Sequence, residues 1–465
     1  MTGPDATTPQ LVIGTAGHID HGKSRLVWAL TGTDPDRLPE EQARGMTIDL
    51  GFAHAEVDGC TLHFVDVPGH ERFIRNMVAG ATGVDVALLV VAADDSVMPQ
   101  TREHAEVLAL LGVRRVVLVL TKVDLVDDEW AAQVAAEAGE LLTSLGLTPV
   151  AEVRTSAVTG RRLDELRQVL ACLARQCAAA DGPTWFRLPI DRAFTVAGRG
   201  TVVTGSVLHG AVRSGDALEL WPAGTRVRVR DLETHHTETA AAAGRMRLAV
   251  NLAGVAREEV GRGCELATPG YLTPATRLDV HLDWLRLGGR PRTTWRVRIH
   301  LATLDVLAEL RLLDAPDGPR VRAAPAQLKT ARPVVAAWGQ RFIVRDEAGQ
   351  RTLGGGVVLR PVAAAWTARQ PAERAGLAAL HAGTAEERLE EVIRAGGWQP
   401  ATPAGLAARA GLADAEASGP LLARLRSRGR VQVLEGTGTP AVVHVAHLEA
   451  LKADVAARLA RVRAA

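Results

Sequence analysis

The first part of the chain alternates short apolar runs with longer amphipathic ones. Over residues 10–180, runs such as LVIGTA, LHFVDV, DVALLVVAA and RVVLVLTK have the length and apolar character of buried parallel strands. The stretches between them, such as KSRLVWALTG and TREHAEVLALLG, have helical periodicity, and several end at a glycine. Repeated strand–helix alternation predicts a doubly wound α/β domain over residues 10–180.

The pattern changes at residue 185. Runs such as RVRVRDLE, RLDVHLDW and WRVRIHLA alternate apolar and polar positions and are separated by turn glycines, which predicts two small antiparallel β-barrels at 185–270 and 272–362. After a linker at 363–376, three short helices followed by two alternating runs predict a winged-helix domain at 377–447. Residues 448–465 carry an apolar stripe, which we interpret as the start of a further winged helix that is either truncated or divergent.

Net charge, the length of apolar runs and the spacing of cysteines limit the class of protein to which the chain can belong. The 465 residues have a formal net charge of +1, so any nucleic-acid or membrane partner must bind a local patch. There is no apolar run long enough to span a bilayer, and the first residues lack the pattern of a secretory signal. The four cysteines are scattered without metal-ligand spacing. We therefore expect a cytoplasmic protein that has no membrane partner. We also expect it to be a monomer.

The segment GHIDHGKS, residues 17–24, fits the phosphate-loop pattern G-x-x-x-x-G-K-[ST] and stands between a predicted strand and a predicted helix. Backbone N–H groups in such a loop face the β-phosphate, the lysine reaches the β- and γ-phosphates, and the serine hydroxyl ligates Mg²⁺. The two histidines could suggest a metal site, but Mg²⁺ prefers oxygen, so we expect them to shape the loop. The predicted nucleotide-binding residues here are Gly17, His18, Ile19, Asp20, His21, Gly22, Lys23 and Ser24.

Two further segments are predicted to complete the part of the nucleotide site that holds the phosphates and Mg²⁺. In LHFVDVPGHE, Asp66 ends an apolar strand, and its carboxylate is expected to help hold Mg²⁺ from the outer side of the site. Gly69 lets a backbone N–H approach the γ-phosphate, and His70 is then placed near an attacking water. In RGMTIDLGFAH, residues 44–54, Thr47 is expected to close on Mg²⁺ and the γ-phosphate, as in an order–disorder switch. The predicted metal ligands are Ser24, Thr47 and Asp66.

The segments LTKVD and TSAVTG are predicted to contact the base of the nucleotide. A carboxylate at Asp124 can accept hydrogen bonds from the guanine N1–H and exocyclic amine, a donor pair that adenine lacks. Lys122 would lie over the ring plane, and backbone groups of the second segment would meet guanine O6. The four motifs in this order favour GTP over ATP and predict a GTPase. The predicted base-binding residues are Thr121, Lys122, Asp124, Ser156 and Ala157.

The order GHIDHGKS, RGMTI, DVPGHE, TKVD and SAV, followed by two barrels, resembles the translational GTPases typified by elongation factor Tu. Within that group, RLPEEQARGMTIDLGFAH, IDRAFTVAGRGTVVTGSVLHG and QRFIVRDEAGQRTLGGG look like the selenocysteine-specific elongation factors (SelB), and the likeness covers residues 11–362. The resemblance implies GTP-dependent binding of selenocysteyl-tRNA, its delivery to the ribosome at recoded UGA codons, and hydrolysis triggered by ribosome contact.

The resemblance also implies roles for single residues in hydrolysis. His70 occupies the place of the water-orienting histidine, beside Gly69, and Ile19 and Met46 occupy the places of the flanking apolar gate. A methionine instead of a branched residue is a mild departure. Arg25 is a second departure, since the family usually has threonine after Ser24. We expect it to face away from Mg²⁺ and to have little effect.

For the aminoacyl group, the resemblance implies a basic pocket, because a selenol is ionised at neutral pH. Asp191, Arg192 and Arg247 match the positions of that pocket, with the arginines attracting the selenolate and the aspartate orienting an arginine. Without the resemblance they would be interpreted as surface ion pairs of a barrel. The family's C-terminal winged helices imply an mRNA hairpin as a possible partner. The C-terminal arginines Arg424, Arg426, Arg428 and Arg430 fit either a phosphate-contacting surface or a solvated helix end.

Two alternatives stay open at this point. One is another translational-type GTPase, such as an initiation-factor subunit or the GTPase partner of sulfate adenylyltransferase. The other is a nucleic-acid-binding module in which the GTPase domain is only a regulated hinge. The second alternative predicts nucleic-acid affinity that resides wholly in residues 377–465 and is independent of nucleotide.

Overall fold

A computed structural model describes residues 8–36, 47, 49–69, 74–177, 184–235, 237–285, 293–313, 323–366, 371–434 and 441–464. Its first domain is a sheet of order β2-β3-β1-β4-β5-β6. The strands are β1 (Gln10–Ala16), β2 (Gly51–Val57), β3 (Cys60–Asp66), β4 (Val86–Ala92), β5 (Arg115–Thr121) and β6 (Pro149–Arg154). The helices are α1 (Lys23–Thr31), α2 (Ile74–Ala81), α3 (Pro99–Leu110), α4 (Asp128–Ser144) and α5 (Leu163–Cys177).

This domain buries one apolar cluster on each face of its sheet, as a doubly wound fold requires. The predicted α/β class is confirmed. One strand was not expected: β2 pairs antiparallel with β3, and it takes up residues 51–54 of the segment interpreted as a switch. Because the other strands are parallel, the loops that follow β1, β5 and β6 meet at one edge of the sheet.

The first barrel is a closed ring of antiparallel strands in the order β10-β15-β7-β8-β14-β11, with β12 added beside β11. Alternate residues of each strand face inward, and Leu188, Val203 and Leu248 are among those buried in its core. The strands are β7 (Arg187–Val196), β8 (Gly200–Ser206), β9 (Ala211–Arg213), β10 (Ala217–Trp221), β11 (Thr225–Thr234), β12 (Thr237–Thr239), β13 (Ala241–Ala243), β14 (Arg247–Ala253) and β15 (Glu265–Ala267).

The second barrel closes in the order β16-β19-β18-β17-β20-β21, so both predicted barrels are present. Its core contains Leu282, Val297 and Phe342. The strands are β16 (Ala275–Trp284), β17 (Thr294–Leu301), β18 (Leu304–Leu312), β19 (Ala323–Val334), β20 (Arg341–Asp346) and β21 (Thr352–Arg360).

The C-terminal part has the helices and the hairpin expected of a winged helix. Its elements are α6 (Pro371–Ala382), α7 (Ala385–Gly396), α8 (Pro403–Arg409), α9 (Ser418–Ser427), β22 (Val431–Leu434), β23 (Ala441–His444) and α10 (Val445–Ala464). Helix α6 begins inside the segment 363–376 that the sequence assigns to a linker, because Leu377 and Leu380 pack into an apolar cluster. That cluster also contains Trp185, Leu359 and Trp366, so this region shares a core with the barrels.

The last helix, α10, is exposed along most of its length. Leu451, Val455 and Leu459 of its apolar stripe are about half exposed. No helix in the described part of the chain is both long and apolar enough to cross a membrane.

Candidate nucleotide-binding site and interdomain pocket

The loop between β1 and α1 folds around two glycines. Gly17 has φ +138°, and a Cβ there would lie 2.2 Å from the carbonyl oxygen of Val90, so only glycine fits. Gly22 has φ +80° and precedes the first residue of α1. The loop is thereby held against β4 and leaves the amino end of α1 facing outward, as a phosphate-binding loop requires.

Lys23 is buried at the base of this loop, and its Nζ donates to the carbonyl oxygens of Gly17 and His18 at 3.1 and 2.7 Å. Burial lowers the pKa of Lys23 to about 8, and the nearby carboxylates, Asp66 foremost, oppose that shift. A polyanion bound here would raise this pKa again and stabilise the charged lysine. The environment of Lys23 therefore fits the phosphates of a nucleotide.

Three oxygen-bearing side chains converge next to Lys23. Ser24 Oγ lies 2.8 Å from Thr47 Oγ1 and donates to Asp66 Oδ2 at 2.6 Å. Thr15 Oγ1 donates to the other oxygen of the same carboxylate at 2.6 Å and fixes its orientation. Thr47 is drawn in from another part of the chain and also donates to Asp36 at 2.8 Å. A set made only of hydroxyl and carboxylate oxygens suits Mg²⁺.

Helix α3 supports the loop from behind, which the sequence analysis did not foresee. The backbone N–H of Gly17 donates to His104 Nδ1 at 3.0 Å, and that of Ile19 donates to Gln100 Oε1 at 3.1 Å. Burial lowers the pKa of His104 to about 3, so its ring is neutral and Nδ1 is free to accept. The only signal in the sequence is the polar segment PQTREH at the start of an otherwise apolar helix.

One of the two loop histidines, His21, contacts both the backbone of β4 and a carboxylate. His21 is fully buried, with Nδ1 3.4 Å from the carbonyl oxygen of Val90 and Nε2 3.3 Å from Asp95. Burial lowers the pKa of both His18 and His21. This geometry fits the expectation that these histidines shape the loop.

A cavity of about 350 Å³ opens over the amino end of α1. A Cβ at Gly69 would come within 2.5 Å of Lys23 Nζ and 2.7 Å of the Ile19 nitrogen, so the absence of a side chain lets the segment after β3 approach the loop. Arg25, which was expected to have little effect, lines the same cavity. The lining residues are Ile19, Asp20, Gly22, Lys23, Ser24, Arg25, Trp28, Asp34, Asp36, Thr47 and Gly69.

The predicted base-binding residues follow β5 and β6 at the same sheet edge. Thr121 Oγ1 donates to the carbonyl oxygen of His21 at 2.7 Å and so ties this segment to the phosphate loop. Lys122 has φ +56° and its Nζ is 3.2 Å from Asp94. Asp124 is exposed, whereas Ser156 is buried and its carbonyl accepts from the Gly160 N–H. Ala157 lies half-buried beside it.

Of the predicted catalytic residues, Ile19 and Gly69 lie together at the cavity. His70 and Met46 lie outside the described residues. Their predicted roles therefore stay predictions.

The predicted selenocysteyl residues stand where the first barrel meets the first domain. Arg247 forms a two-pronged ion pair with Asp191, and its Nη2 also donates to Thr204 Oγ1 at 3.1 Å. The guanidinium carbon lies 3.7 Å from the centroid of the Phe52 ring on β2. The side chains of Arg247 and Asp191 are only 17% and 7% exposed, so this is not a surface ion pair.

Arg192 does not join the Asp191 ion pair but forms hydrogen bonds with the segment that precedes β2. Its Nη2 donates to Asp49 Oδ2 at 2.7 Å and to the carbonyl oxygen of Leu50 at 3.0 Å, and its side chain is 44% exposed. Asp49 lies two residues after Thr47. The structure therefore joins the barrel to the segment that also carries a predicted magnesium ligand.

Arg192 and Arg247 both line a cavity of about 800 Å³ between β2, β3 and the first barrel. Apolar side chains such as Phe52 and Phe194 form much of its wall. At its far end His235 Nε2 lies 2.9 Å from His63 Nδ1, and its ring stacks on His54 with centroids 3.7 Å apart. The arrangement can hold a ligand with a small anionic group next to a larger apolar part.

The chain was compared with known proteins. The family described as "Elongation factor Tu GTP binding domain" matches residues 8–176, and "Elongation factor Tu domain 2" matches residues 200–267. Elongation factor Tu 2 of Streptomyces avermitilis is 36% identical over 386 residues, which are 76% of this chain and 97% of that protein. The chain belongs to the elongation factor Tu family of translational GTPases.

Within this family the chain resembles the selenocysteine-specific members. The family described as "Selenocysteine-specific elongation factor, beta-barrel domain" matches residues 289–365. The selenocysteine-specific elongation factor of Desulfomicrobium baculatum is 41% identical over 389 residues, which are 83% of this chain and 61% of that protein. The chain thus spans less than two thirds of that relative's length. The crystal structure of a bacterial selenocysteine-specific elongation factor, EF-Sec, superimposes with a TM-score of 0.81 at 28% identity, covering 96% of this chain and 71% of the other.

These similarities confirm the predicted resemblance and do not favour the alternative of another translational-type GTPase. Among the C-terminal arginines, Arg424 and Arg428 pair with Glu386, and Arg430 pairs with Glu390, all within the same region. Three of these four side chains are therefore engaged with α7.

Proposed function

We propose that the protein is a GTP-dependent translation elongation factor that binds selenocysteyl-tRNA and delivers it to the ribosome at recoded UGA codons, with GTP hydrolysis on ribosome contact. The observation that carries the proposal is the half-buried Arg247, oriented by Asp191 and Phe52 at an interdomain cavity next to a phosphate-loop domain. The names of the similar proteins support the same function.

For the nucleotide, the proposal assigns GTP and Mg²⁺ to the cavity over α1. Lys23 and the loop N–H groups would hold the phosphates, and Ser24, Thr47 and Asp66 would hold Mg²⁺, whose charge would neutralise the phosphate oxygens. Asp124 would select guanine by accepting from its two donors. Hydrolysis in such sites depends on positioning and charge stabilisation, so we assign His70 to orient the water and Ile19, Met46 and Gly69 to surround it.

For the aminoacyl group, the proposal assigns the selenolate to Arg247 and Arg192. A neutral seryl group, or a cysteinyl thiol that is mostly protonated at neutral pH, gains less from a guanidinium than an anion does. Asp191 holds Arg247 in one orientation through both guanidinium nitrogens. Arg192 is paired with Asp49, so movement of the segment that carries Thr47 would change how freely Arg192 meets the ligand.

The ribosome and selenocysteyl-tRNA are the proposed partners, and an mRNA hairpin bound through the C-terminal winged-helix region is a further proposed one. A monomeric, cytoplasmic protein remains the prediction from sequence.

The test is protection of the aminoacyl ester of selenocysteyl-tRNA from hydrolysis, compared with cysteyl- and seryl-tRNA. We expect protection that requires GTP, favours selenocysteine and is lost in Arg247→Ala. Removing one partner of a charge-assisted contact costs about 1.5–3 kcal/mol, or roughly 10- to 100-fold in affinity. The matched control is Arg245→Ala, because Arg245 pairs with Asp85 outside the cavity and should protect as wild type does. Equal protection of all three aminoacyl-tRNAs by the wild type would rule the proposal out.

A further inference from the structure

The first turn of α1 carries positive charges where a helix ordinarily carries acids. It contains Lys23 and Arg25 and no acidic residue, and its N-cap, Gly22, supplies no side-chain hydrogen bond to the free N–H groups. The amino end of a helix has a partial positive charge, which disfavours nearby cations and favours an anion. Two cations at this end are consistent with a site that holds an anion.

The two cations occupy different surroundings. Lys23 is buried and donates to the carbonyls of the phosphate loop. Arg25 is exposed at the cavity, and within the described part of the chain it forms no ion pair, although Asp34 and Asp36 line the same space. Its guanidinium carbon lies 4.2 Å from the centroid of the Trp28 ring, one helical turn further on.

Trp28 explains how Arg25 is held. The indole is 41% exposed, which is unusual for so large an apolar side chain, and it lines the cavity together with the arginine. A guanidinium stacked on an aromatic face keeps the N–H groups at its edge available for hydrogen bonds. The pair therefore presents an oriented, forked donor to the cavity.

The direction of Arg25 indicates which part of a nucleotide it meets. Successive residues of an α-helix point about 100° apart. Ser24 points to Thr47 and Asp66, which form the predicted magnesium cluster, and Lys23 points back along the loop. Arg25 lines the same cavity but stacks on Trp28. Because Lys23 and the magnesium cluster are assigned to the β- and γ-phosphates, the phosphate nearer the ribose is the group left for Arg25.

We propose that Arg25, held by Trp28, binds the phosphate oxygens that GDP and GTP have in common and raises the affinity for both nucleotides. The inference rests on the proposed function only in that the cavity must bind a guanine nucleotide. It assigns a nucleotide-binding role to a residue that the sequence predicts to be inert.

The test is calorimetric titration of the full chain with GDP and with a non-hydrolysable GTP analogue, both with Mg²⁺. Arg25→Ala should weaken both affinities by the same factor, about tenfold, as expected for loss of a charge-assisted hydrogen bond. Trp28→Ala should weaken both by a smaller factor, about threefold, because the guanidinium remains but is no longer stacked. Arg114→Ala, which removes an exposed arginine at a distance from the cavity, should bind as the wild type does.

The outcomes separate the inference from the function on which it rests. Unchanged GDP affinity in Arg25→Ala overturns the inference, and so does a loss confined to the GTP analogue. A wild type that binds neither nucleotide overturns the proposed function as well. As a second measurement, the difference between wild type and Arg25→Ala should shrink as salt is raised, because a charge contact near the surface is screened. A difference that salt leaves unchanged would indicate a folding defect and would contradict the inference.

Discussion

At the scale of single residues, several histidines of the described chain are buried in their neutral form. Burial lowers the pKa of His63 and His104 to about 3 and that of His209 to about 4. Each of these rings lies at a junction: His63 faces the first barrel, His104 supports the phosphate loop, and His209 contacts the backbone that leads into the barrel. Protonating any of them in place would put an uncompensated charge in a dry environment.

A pH dependence follows from these shifts. The folded pKa values lie below the unfolded value of about 6.5, so the native state binds fewer protons than the unfolded state between these limits. The stabilisation is complete above about pH 6.5 and is lost as the pH falls toward the folded pKa, by up to about 1.4 kcal/mol per pH unit for each histidine. We therefore expect the unfolding temperature, measured by scanning calorimetry, to decrease as the pH is lowered from 7 to 5.

The matched variant is His209→Gln, which cannot gain a proton in the unfolded state. Its midpoint should fall less steeply over the same range than that of the wild type. Parallel curves for the two proteins would mean that His209 is not buried in the neutral form.

At the scale of secondary structure, α3 connects the nucleotide loop to the second barrel. Near its start, Gln100 and His104 accept from loop N–H groups. Between them, on another side of the helix, Glu103 accepts from Thr352 Oγ1 at 3.2 Å and lies 3.6 Å from Arg345. The same helix thus fixes the loop on one side and rests on β20 and β21 on the other.

We expect His104→Ala to speed nucleotide release without unfolding the domain. The substitution leaves the Gly17 N–H without its acceptor, at a cost of about 1–3 kcal/mol, or roughly 5- to 100-fold in affinity if the loop loses its bound geometry. The measurement is GDP dissociation followed by stopped-flow fluorescence. His104→Gln can still accept a hydrogen bond and serves as the control. Dissociation at the wild-type rate in His104→Ala would show that the loop does not need this support.

The sequence predicts the local motifs and misses the contacts that join distant segments. The phosphate loop, Asp66 and the base-binding segments are contiguous stretches in which spacing carries the chemistry. His104 could not be assigned, because its role depends on α3 packing behind a loop that lies 87 residues earlier in the chain. The sequence assigns residues 371–376, the first part of α6, to a linker, because the apolar cluster that holds this helix draws its members from both the barrel and the later helices.

At the scale of the whole molecule, one buried arginine links the second barrel to the C-terminal helices. Arg360 on β21 pairs with Asp279 on β16 at 2.6 Å, with Glu373 on α6 at 3.1 Å and with Glu391 on α7 at 2.8 Å. Burial raises the pKa of Asp279 to about 6, although Arg360 opposes that shift. Arg394 also pairs with Glu391, at 2.6 Å, so Arg360 is the cation that joins Asp279 to the two glutamates.

We expect Arg360→Met to destabilise barrel and helices together. Removing one partner of a buried ion pair costs about 3–5 kcal/mol, whereas an exposed pair such as Arg458 with Asp454 contributes about 0–1 kcal/mol. Denaturant unfolding measures the loss, and hydrogen exchange should show reduced protection in both β21 and α7. Arg458→Met is the control. Adding Asp279→Asn to Arg360→Met should recover part of the stability, and no recovery would contradict the charge argument.

The hydrogen bond between Arg192 and Asp49 has a thermodynamic consequence for how nucleotide binding and ligand binding affect each other. It joins a barrel residue at the large cavity to a segment that also carries a side chain of the proposed Mg²⁺ site. If exchanging GDP for GTP alters this contact, the nucleotide changes the affinity of the cavity for its ligand by some factor. Linkage then obliges the ligand to change the preference for GTP over GDP by that same factor. If GTP strengthens binding in the cavity, the bound ligand would raise the preference for GTP over GDP, and loss of the ligand would lower that preference again.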